Sequence, residues 1–310
     1  MSVEQTILIT GVTGFIGRYI TRYFYQKGWK TIGISNSPAE NAPTSILSRY
    51  YQLYLPNKSF SDIIKTEKPS LCVHCAGRAS VGISLEYPIE DFYGNTVLTY
   101  ETLNTLRKYS PDCKFIFLSS AAVYGNSLSL PISETHNTQP ISPYGFHKLQ
   151  SEQICQEFSK IYGMKTTSIR IFSAYGPGLR RQVVWDVCYK VLTSSLIELK
   201  GTGNESRDFI HPWDIAQAID IIQSQASLSG DTYNVATGHE VKIKDLTDMI
   251  IKYLGMDKKI YFDNIMDKGN PLNWKADITR IKSLGFSPVV DFQQGIETFV
   301  KWCQAELLGY

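Results

Sequence analysis

Short apolar runs alternate with longer amphipathic stretches through the first half of the chain. Residues 6–10 read as a buried strand, and 15–26 as a helix with apolar positions on one face. Strands follow at 30–35, 50–55, 70–75, 114–119 and 165–171, with helices at 59–66, 89–109 and 142–162 between them. Strands alternating with helices predict an α/β fold with a parallel sheet covered on both faces. The stretch 35–48, rich in Asn, Ser, Pro and Ala, reads as a loop.

The texture changes after Tyr175, where Gly176, Pro177 and Gly178 interrupt the pattern. Helices at 183–192, 214–225, 243–254 and 292–305 then dominate, with short strands between. This divides the chain into residues 1–175, a doubly wound α/β unit, and residues 176–310, a smaller mixed α/β lobe, with some chain crossing between them.

Composition narrows the class only modestly. The 310 residues are 43% hydrophobic and 19% charged, a balance that excludes a disordered chain. The net charge of +2, spread along the chain, is a poor footprint for nucleic acid. No apolar run has the ~18 residues of a membrane span. No basic n-region precedes the first strand, and the six cysteines lack framework spacing, so a reducing, cytoplasmic setting is expected. Cys72 and Cys75 form C-x-x-C, but strand positions three apart face opposite ways, so they read as core. No metal site is expected, and His147 reads as a helix-surface residue.

Gly11, Gly14 and Gly17 form G-x-x-G-x-x-G between the first strand and first helix, where a pyrophosphate meets free helical N–H groups. About 20 residues on, where an acid commonly binds the ribose, stand Ser35, Asn36 and Ser37. No carboxylate repels a 2′-phosphate there, and Arg18 lies nearby. NADP(H) is therefore favoured, with NAD(H) the alternative. Tyr144 and Lys148 share one face of a helix that begins with Ser142 and Pro143. An ammonium beside a phenol favours the tyrosinate, and Tyr144 can then exchange a proton with a hydroxyl or carbonyl. Ser119 and Ser120 close the fifth strand at the sheet edge where ligands bind.

With these motifs the chain resembles the extended short-chain dehydrogenase/reductase family, and within it the nucleotide-sugar epimerases, dehydratases and reductases. The resemblance runs through TGVTGFIG (10–17), HCAGRASVGIS (74–84), SSAAVYG (119–125), PYGFHK (143–148), RIFSAYGPG (170–178), GTGNESRDFIHPWD (201–214) and YNVATG (233–238). It implies a Rossmann-type dinucleotide-binding unit over residues 1–175, a nucleotide-sugar substrate lobe over 176–310, and Ser120, Tyr144 and Lys148 as the catalytic set. It implies cofactor contacts at Gly11, Gly14, Phe15, Ile16, Cys75, Ala76, Gly77 and Asn95, with Leu55 near the adenine. Substrate contacts are expected at Ser80, Ser120, Ser173, Arg180 and Arg207, the last gripping the diphosphate of a nucleotide-diphosphate sugar, or else pairing with Asp208. Arg181 and Gln182 could also face the substrate.

Departures from the family pattern steer the choice of reaction. Ala121 and Ala122 stand where sugar dehydratases carry acids, so dehydration is disfavoured. Galactose-type epimerases carry an acid where Ser35 stands, and an Arg and Asp where this chain has Asp267 and Asn270, beside Lys268. The leading expectation is NADPH-dependent reduction of a nucleotide-linked 4-keto-6-deoxy sugar. The alternative is a nucleotide-sugar 4-epimerase with tightly bound NAD. Helices 89–109 and 142–162 resemble those through which the family forms homodimers.

Overall fold

A computed structural model describes residues 5–127, 129–265 and 272–309. Among them, seven strands form one parallel sheet in the order β10-β6-β5-β4-β1-β2-β3. These are β1 (Thr6–Thr10), β2 (Lys30–Ser35), β3 (Arg49–Gln52), β4 (Leu71–His74), β5 (Lys114–Ser120), β6 (Thr166–Ile171) and β10 (Ser229–Val235). Alternation along the strands feeds two cores. Ile7, Ile9, Val73 and Ile116 pack with Ile20 and Phe24 of α1 (Phe15–Gln26) and Ile219 and Ile222 of α8 (Pro212–Gln225). Leu8, Cys72, Phe115 and Phe117 face the other way, onto α2 (Phe60–Glu67), the long helical segment from Pro88 to Tyr109, and α6 (Pro143–Tyr162). Cys72 belongs to this second core and Cys75 packs against the first, as their spacing predicts.

The sheet order reverses between β1 and β4, and that switch point is where a doubly wound sheet opens a crevice for ligand. The seventh strand comes from beyond residue 175. After α8 the chain returns to add β10 beside β6, and α8 packs on α1 through Trp213 against Tyr23. The strand alternation of the first 175 residues therefore accounts for six of the seven strands.

Beyond Gly176 a third core gathers around α7 (Gln182–Thr193), α9 (Ile243–Leu254) and α11 (Phe292–Leu308). Small sheets accompany it. β9 (Ser206–Ile210) joins β7 (Ser173–Ala174) and β11 (Glu240–Lys242), and β8 (Ile197–Leu199) joins β12 (Ile260–Phe262). A short α10 (Thr279–Lys282) precedes α11.

The segment read as one helix over 89–109 is subdivided. It comprises α4 (Pro88–Phe92), a π-turn (Tyr93–Val97) and α5 (Leu98–Tyr109), with a short α3 (Val81–Glu86) before it. Pro88 starts α4 where its missing N–H costs nothing. The π-turn carries Asn95, and such turns often mark functional positions. Among the described residues no helix is long and apolar enough to cross a membrane, and no group of acidic, His and Cys side chains is arranged to hold a metal.

Candidate active site

The crevice is built from the carboxyl ends of β1, β4 and β5. Gly11 leaves β1 with φ +69°, and a Cβ there would stand 2.7 Å from the Ala76 nitrogen. Only glycine lets the turn and the segment after β4 approach so closely. Gly14 precedes α1, whose first turn, at Phe15 and Ile16, presents helical N–H groups without a side-chain cap. Cys75, Ala76 and Gly77 line the opposite wall. The Cys75 and Ala76 nitrogens donate to Thr10, to its carbonyl at 3.1 Å and its Oγ1 at 3.2 Å. A Cβ at Gly77 would meet Asn95 Oδ1 at 2.7 Å, so Asn95 abuts this wall. The Asn95 amide is buried, and neither its oxygen nor its nitrogen has a partner among the described residues. A buried amide so placed fits a bound polar group.

The structure brings Ser120, Tyr144 and Lys148 together. Ser120 ends β5 and caps the short turn Ala121–Tyr124, accepting from the Ala122 nitrogen at 3.2 Å. Ser142 caps α6 by accepting from the Gly145 nitrogen, which fixes the turn that carries Tyr144. The Tyr144 nitrogen donates to Ser84 Oγ of α3 at 3.1 Å. Burial raises the Tyr144 pKa, opposed by a hydrogen bond with Ser120 and the charge of Arg181, while the Asp91 charge adds to the rise. Lys148 Nζ donates to the Leu118 carbonyl at 2.8 Å and lies 5.8 Å from the centre of the Tyr144 ring. Burial pulls its pKa down to about 8, against the raising charges of Asp91 and Glu152.

A buried network holds this floor in place. Ser119 Oγ donates to Glu152 at 2.5 Å, and Arg170 grips the same carboxylate through Nε at 3.0 Å and Nη2 at 2.7 Å. The Arg170 guanidinium lies 4.7 Å over the Tyr124 ring, whose hydroxyl donates to Asn234 at 2.6 Å. Burial works against the Arg170 charge, but Glu152 more than offsets it, and the guanidinium pKa ends above its usual value.

Several of the expected contact residues have partners within the protein. Arg18 is committed to the Thr13 carbonyl at 2.9 Å and the Asn41 carbonyl at 2.5 Å, tying the glycine turn to the loop after β2. Ser35 Oγ is 2.7 Å from Thr13 Oγ1 and also accepts from the Ser37 nitrogen, while Asn36 is exposed. Leu55 packs with the core on the α2 face. Ser80 caps α3, and it is Ser84 that reaches Tyr144. Arg180 pairs with Glu306 and lies 5.9 Å from the Trp302 ring, which draws it onto α11. Its neighbour Arg181 turns back instead, donating to the Ala79 carbonyl, and its charge reaches Tyr144. The residue after it, Gln182, has φ +66°, a left-handed conformation uncommon outside glycine.

Ser173 lies half-buried on β7, just past the end of β6. Arg207 makes no ion pair with Asp208, which instead accepts from the Thr237, Gly238 and Ala276 nitrogens. The Arg207 guanidinium donates to the Ser206 and Leu272 carbonyls and lies 5.6 Å from the Trp274 ring. Burial lowers its pKa to about 10. Asp267, Lys268 and Asn270 lie outside the described residues.

Two residues escaped the sequence reading. His147 is not a free surface residue: its Nδ1 is 2.6 Å from Asp91 Oδ2, and Asp91 is buried. No local signal joins them, because the two side chains meet across helices from positions 56 apart.

The profile of the NAD dependent epimerase/dehydratase family matches residues 7–236. The chain belongs to this family. The match runs from β1 past the end of β10, so it spans the whole parallel sheet with the glycine turn and the Ser, Tyr and Lys set. The solved UDP-glucose 4-epimerase of Thermotoga maritima, crystallised with UDP-glucose, is 27% identical, with a TM-score of 0.90 over 98% of this chain and 100% of that one. A UDP-N-acetylglucosamine 4-epimerase of Methanobrevibacter ruminantium, in complex with UDP-N-acetylmuramic acid, is 26% identical, with a TM-score of 0.89 over 98% and 99%. UDP-glucuronate 4-epimerase 5 of Arabidopsis thaliana is 26% identical over 96% of this chain and 75% of its own.

Proposed function

We propose that this protein is a UDP-sugar 4-epimerase that works with a retained NAD. The observation that carries the reading is the intact Ser120, Tyr144 and Lys148 set in a chain similar over nearly its whole length to several proteins named as 4-epimerases. This reverses the order of the two readings drawn from the sequence. NADPH-dependent ketoreduction led there, on the missing acid at Ser35. In the structure the Ser35 hydroxyl lies 2.7 Å from Thr13 Oγ1 and Arg18 donates to two carbonyls, so both are tied into the glycine turn and the loop beside it.

The residues fit a nicotinamide dinucleotide. Gly11, Gly14 and the first turn of α1 would receive its diphosphate, Cys75 to Gly77 and Asn95 would flank it, and Lys148 would bond the ribose. When bound, it would supply the transient oxidation of the sugar at C4 and the reversal of that oxidation. Tyr144 takes the proton of the C4 hydroxyl and later returns it. Ser120 donates a hydrogen bond to that oxygen, and Lys148 favours the tyrosinate by its charge. Ala121 and Ala122 offer no acid for water elimination. Arg207, which makes no ion pair among the described residues, would bind the diphosphate.

Purified protein incubated with UDP-glucose, UDP-glucuronate or UDP-N-acetylglucosamine, with no cofactor added, is expected to interconvert at least one with its C4 epimer. No conversion of any of them, together with oxidation of NADPH by a nucleotide-linked 4-keto-6-deoxy sugar, would return the ketoreductase reading.

The same reading includes a homodimer. Ile89, Tyr93 and Tyr100 on the segment from Pro88 to Tyr109, and Phe146 and Ile161 on α6, are exposed apolar side chains on the two long helical segments. Pairing them with a second copy as a four-helix bundle would cover this face. Light scattering at micromolar concentration is expected to give twice the 35.0 kDa of one chain; a monomeric mass would contradict it.

A further inference from the structure

We propose that Asp91 is a positioning residue of the active site: a buried carboxylate, tethered by His147, that serves as the counter-charge to Lys148. The inference rests on Tyr144 and Lys148 being the proton-handling pair of the proposed reaction. Lys148 is deeply buried, and a buried ammonium needs a compensating charge. The groups facing it come from four elements. From β4 and the residue after it come His74 and Cys75, from β5 the Leu118 carbonyl and the Phe117 ring, from α6 Tyr144, Glu152 and Cys155, and from α4 Asp91.

Most of these carry no available negative charge. Burial pulls the His74 pKa down to about 3, so its ring is neutral. Burial pushes the Cys75 and Cys155 thiols up to about 12, so they stay protonated. Glu152 is neutralised by the two-pronged grip of Arg170. Asp91 remains. Its Oδ2 is held 2.6 Å from His147 Nδ1, a ring that is charged only when doubly protonated. Its Oδ1 is buried and without a partner among the described residues. His147 meets this carboxylate at one oxygen only, whereas Arg170 closes on both oxygens of Glu152.

The tether is itself braced. The His147 carbonyl accepts from Ser151 Oγ at 2.8 Å and Thr96 Oγ1 at 3.3 Å, and the Phe92 ring meets the imidazole edge-on at 5.5 Å. His147 stands three residues after Tyr144 and one before Lys148, so the carboxylate it holds lies against the stretch of α6 that carries both. That charge favours the Lys148 ammonium and disfavours the Tyr144 tyrosinate. The dyad thus balances the two titrations against each other.

Asp91→Asn keeps the acceptor for His147 and removes the charge alone. The first readout is the Lys148 titration in the whole protein, followed by NMR of 13C-labelled lysine and assigned with Lys148→Met. Asn at position 91 is expected to lower the Lys148 midpoint by about half to one pH unit, or about three- to tenfold in proton affinity. The alkaline limb of kcat against pH moves down by the same amount, with KM little changed. Asp91→Glu restores part of the shift. His147→Gln, which retains the carboxylate, leaves the midpoint near its original value. An unchanged midpoint in Asp91→Asn overturns the proposal, as does an equal fall in Asp91→Asn and His147→Gln, which would mark the pair as packing only. Should no UDP-hexose be turned over, the epimerase reading fails while the NMR midpoint still decides the role of Asp91.

Discussion

Tyr144→Phe is expected to lower kcat by about 10²- to 10⁴-fold, the usual range for removing a positioned acid/base. The change deletes one oxygen from a half-buried ring. It leaves the backbone bond from the Tyr144 nitrogen to Ser84 and the Ser142 cap intact, so the turn should hold its place. KM for the nucleotide sugar and the amount of cofactor retained should change little, because the diphosphate contacts lie elsewhere. Steady-state rates on the best UDP-hexose, beside cofactor content after heat release, separate the outcomes. A variant within tenfold of the parent would remove Tyr144 from the proton path.

The second large effect is on stability. Arg170→Met leaves Glu152 buried with Ser119 as its one remaining hydrogen-bond donor among the described residues, and breaking a buried pair from one side costs about 3–5 kcal/mol. Urea unfolding read by tryptophan fluorescence measures it. Replacing both partners, Arg170→Met with Glu152→Leu, should recover much of the loss, since no uncompensated charge then remains. A cost below about 1 kcal/mol for the single change would mean that water or a rearranged partner reaches Glu152. The same network fixes the end of β5, so the single variant should also lose activity through Ser120.

The elements that carry the chemistry were readable because local signals and long-range packing agree there. The glycine turn sits between a five-residue strand and a helix, and its φ and its approach to Ala76 need the residue type found. Ser142 and Pro143 mark the start of α6, and spacing alone puts Tyr144 and Lys148 on one face. Residues 114–119 and 142–162 bring Ser120 to them through sheet geometry that any doubly wound fold shares. What was not readable depends on partners distant in sequence. The seventh strand, β10, lies 58 positions after Ile171 begins its exit from β6, and nothing local says it returns to that edge. Arg180 and Arg181 are adjacent and alike, yet one is drawn to Glu306 and the other to the Ala79 carbonyl. The Asp91–His147 pair joins two helices 56 residues apart. The π-turn at Tyr93–Val97 has no sequence signature of its own, and it subdivides a helix that periodicity reads as continuous.

The choice of cofactor is the central claim, because it separates an internally recycled oxidant from an exchangeable reductant. The decisive measurement is to denature the purified protein and quantify nicotinamide dinucleotide in the supernatant, resolving NAD from NADP. The account predicts NAD at close to one equivalent per chain and no NADP. An empty protein, stabilised against heat by NADPH and not by NADH, would contradict it.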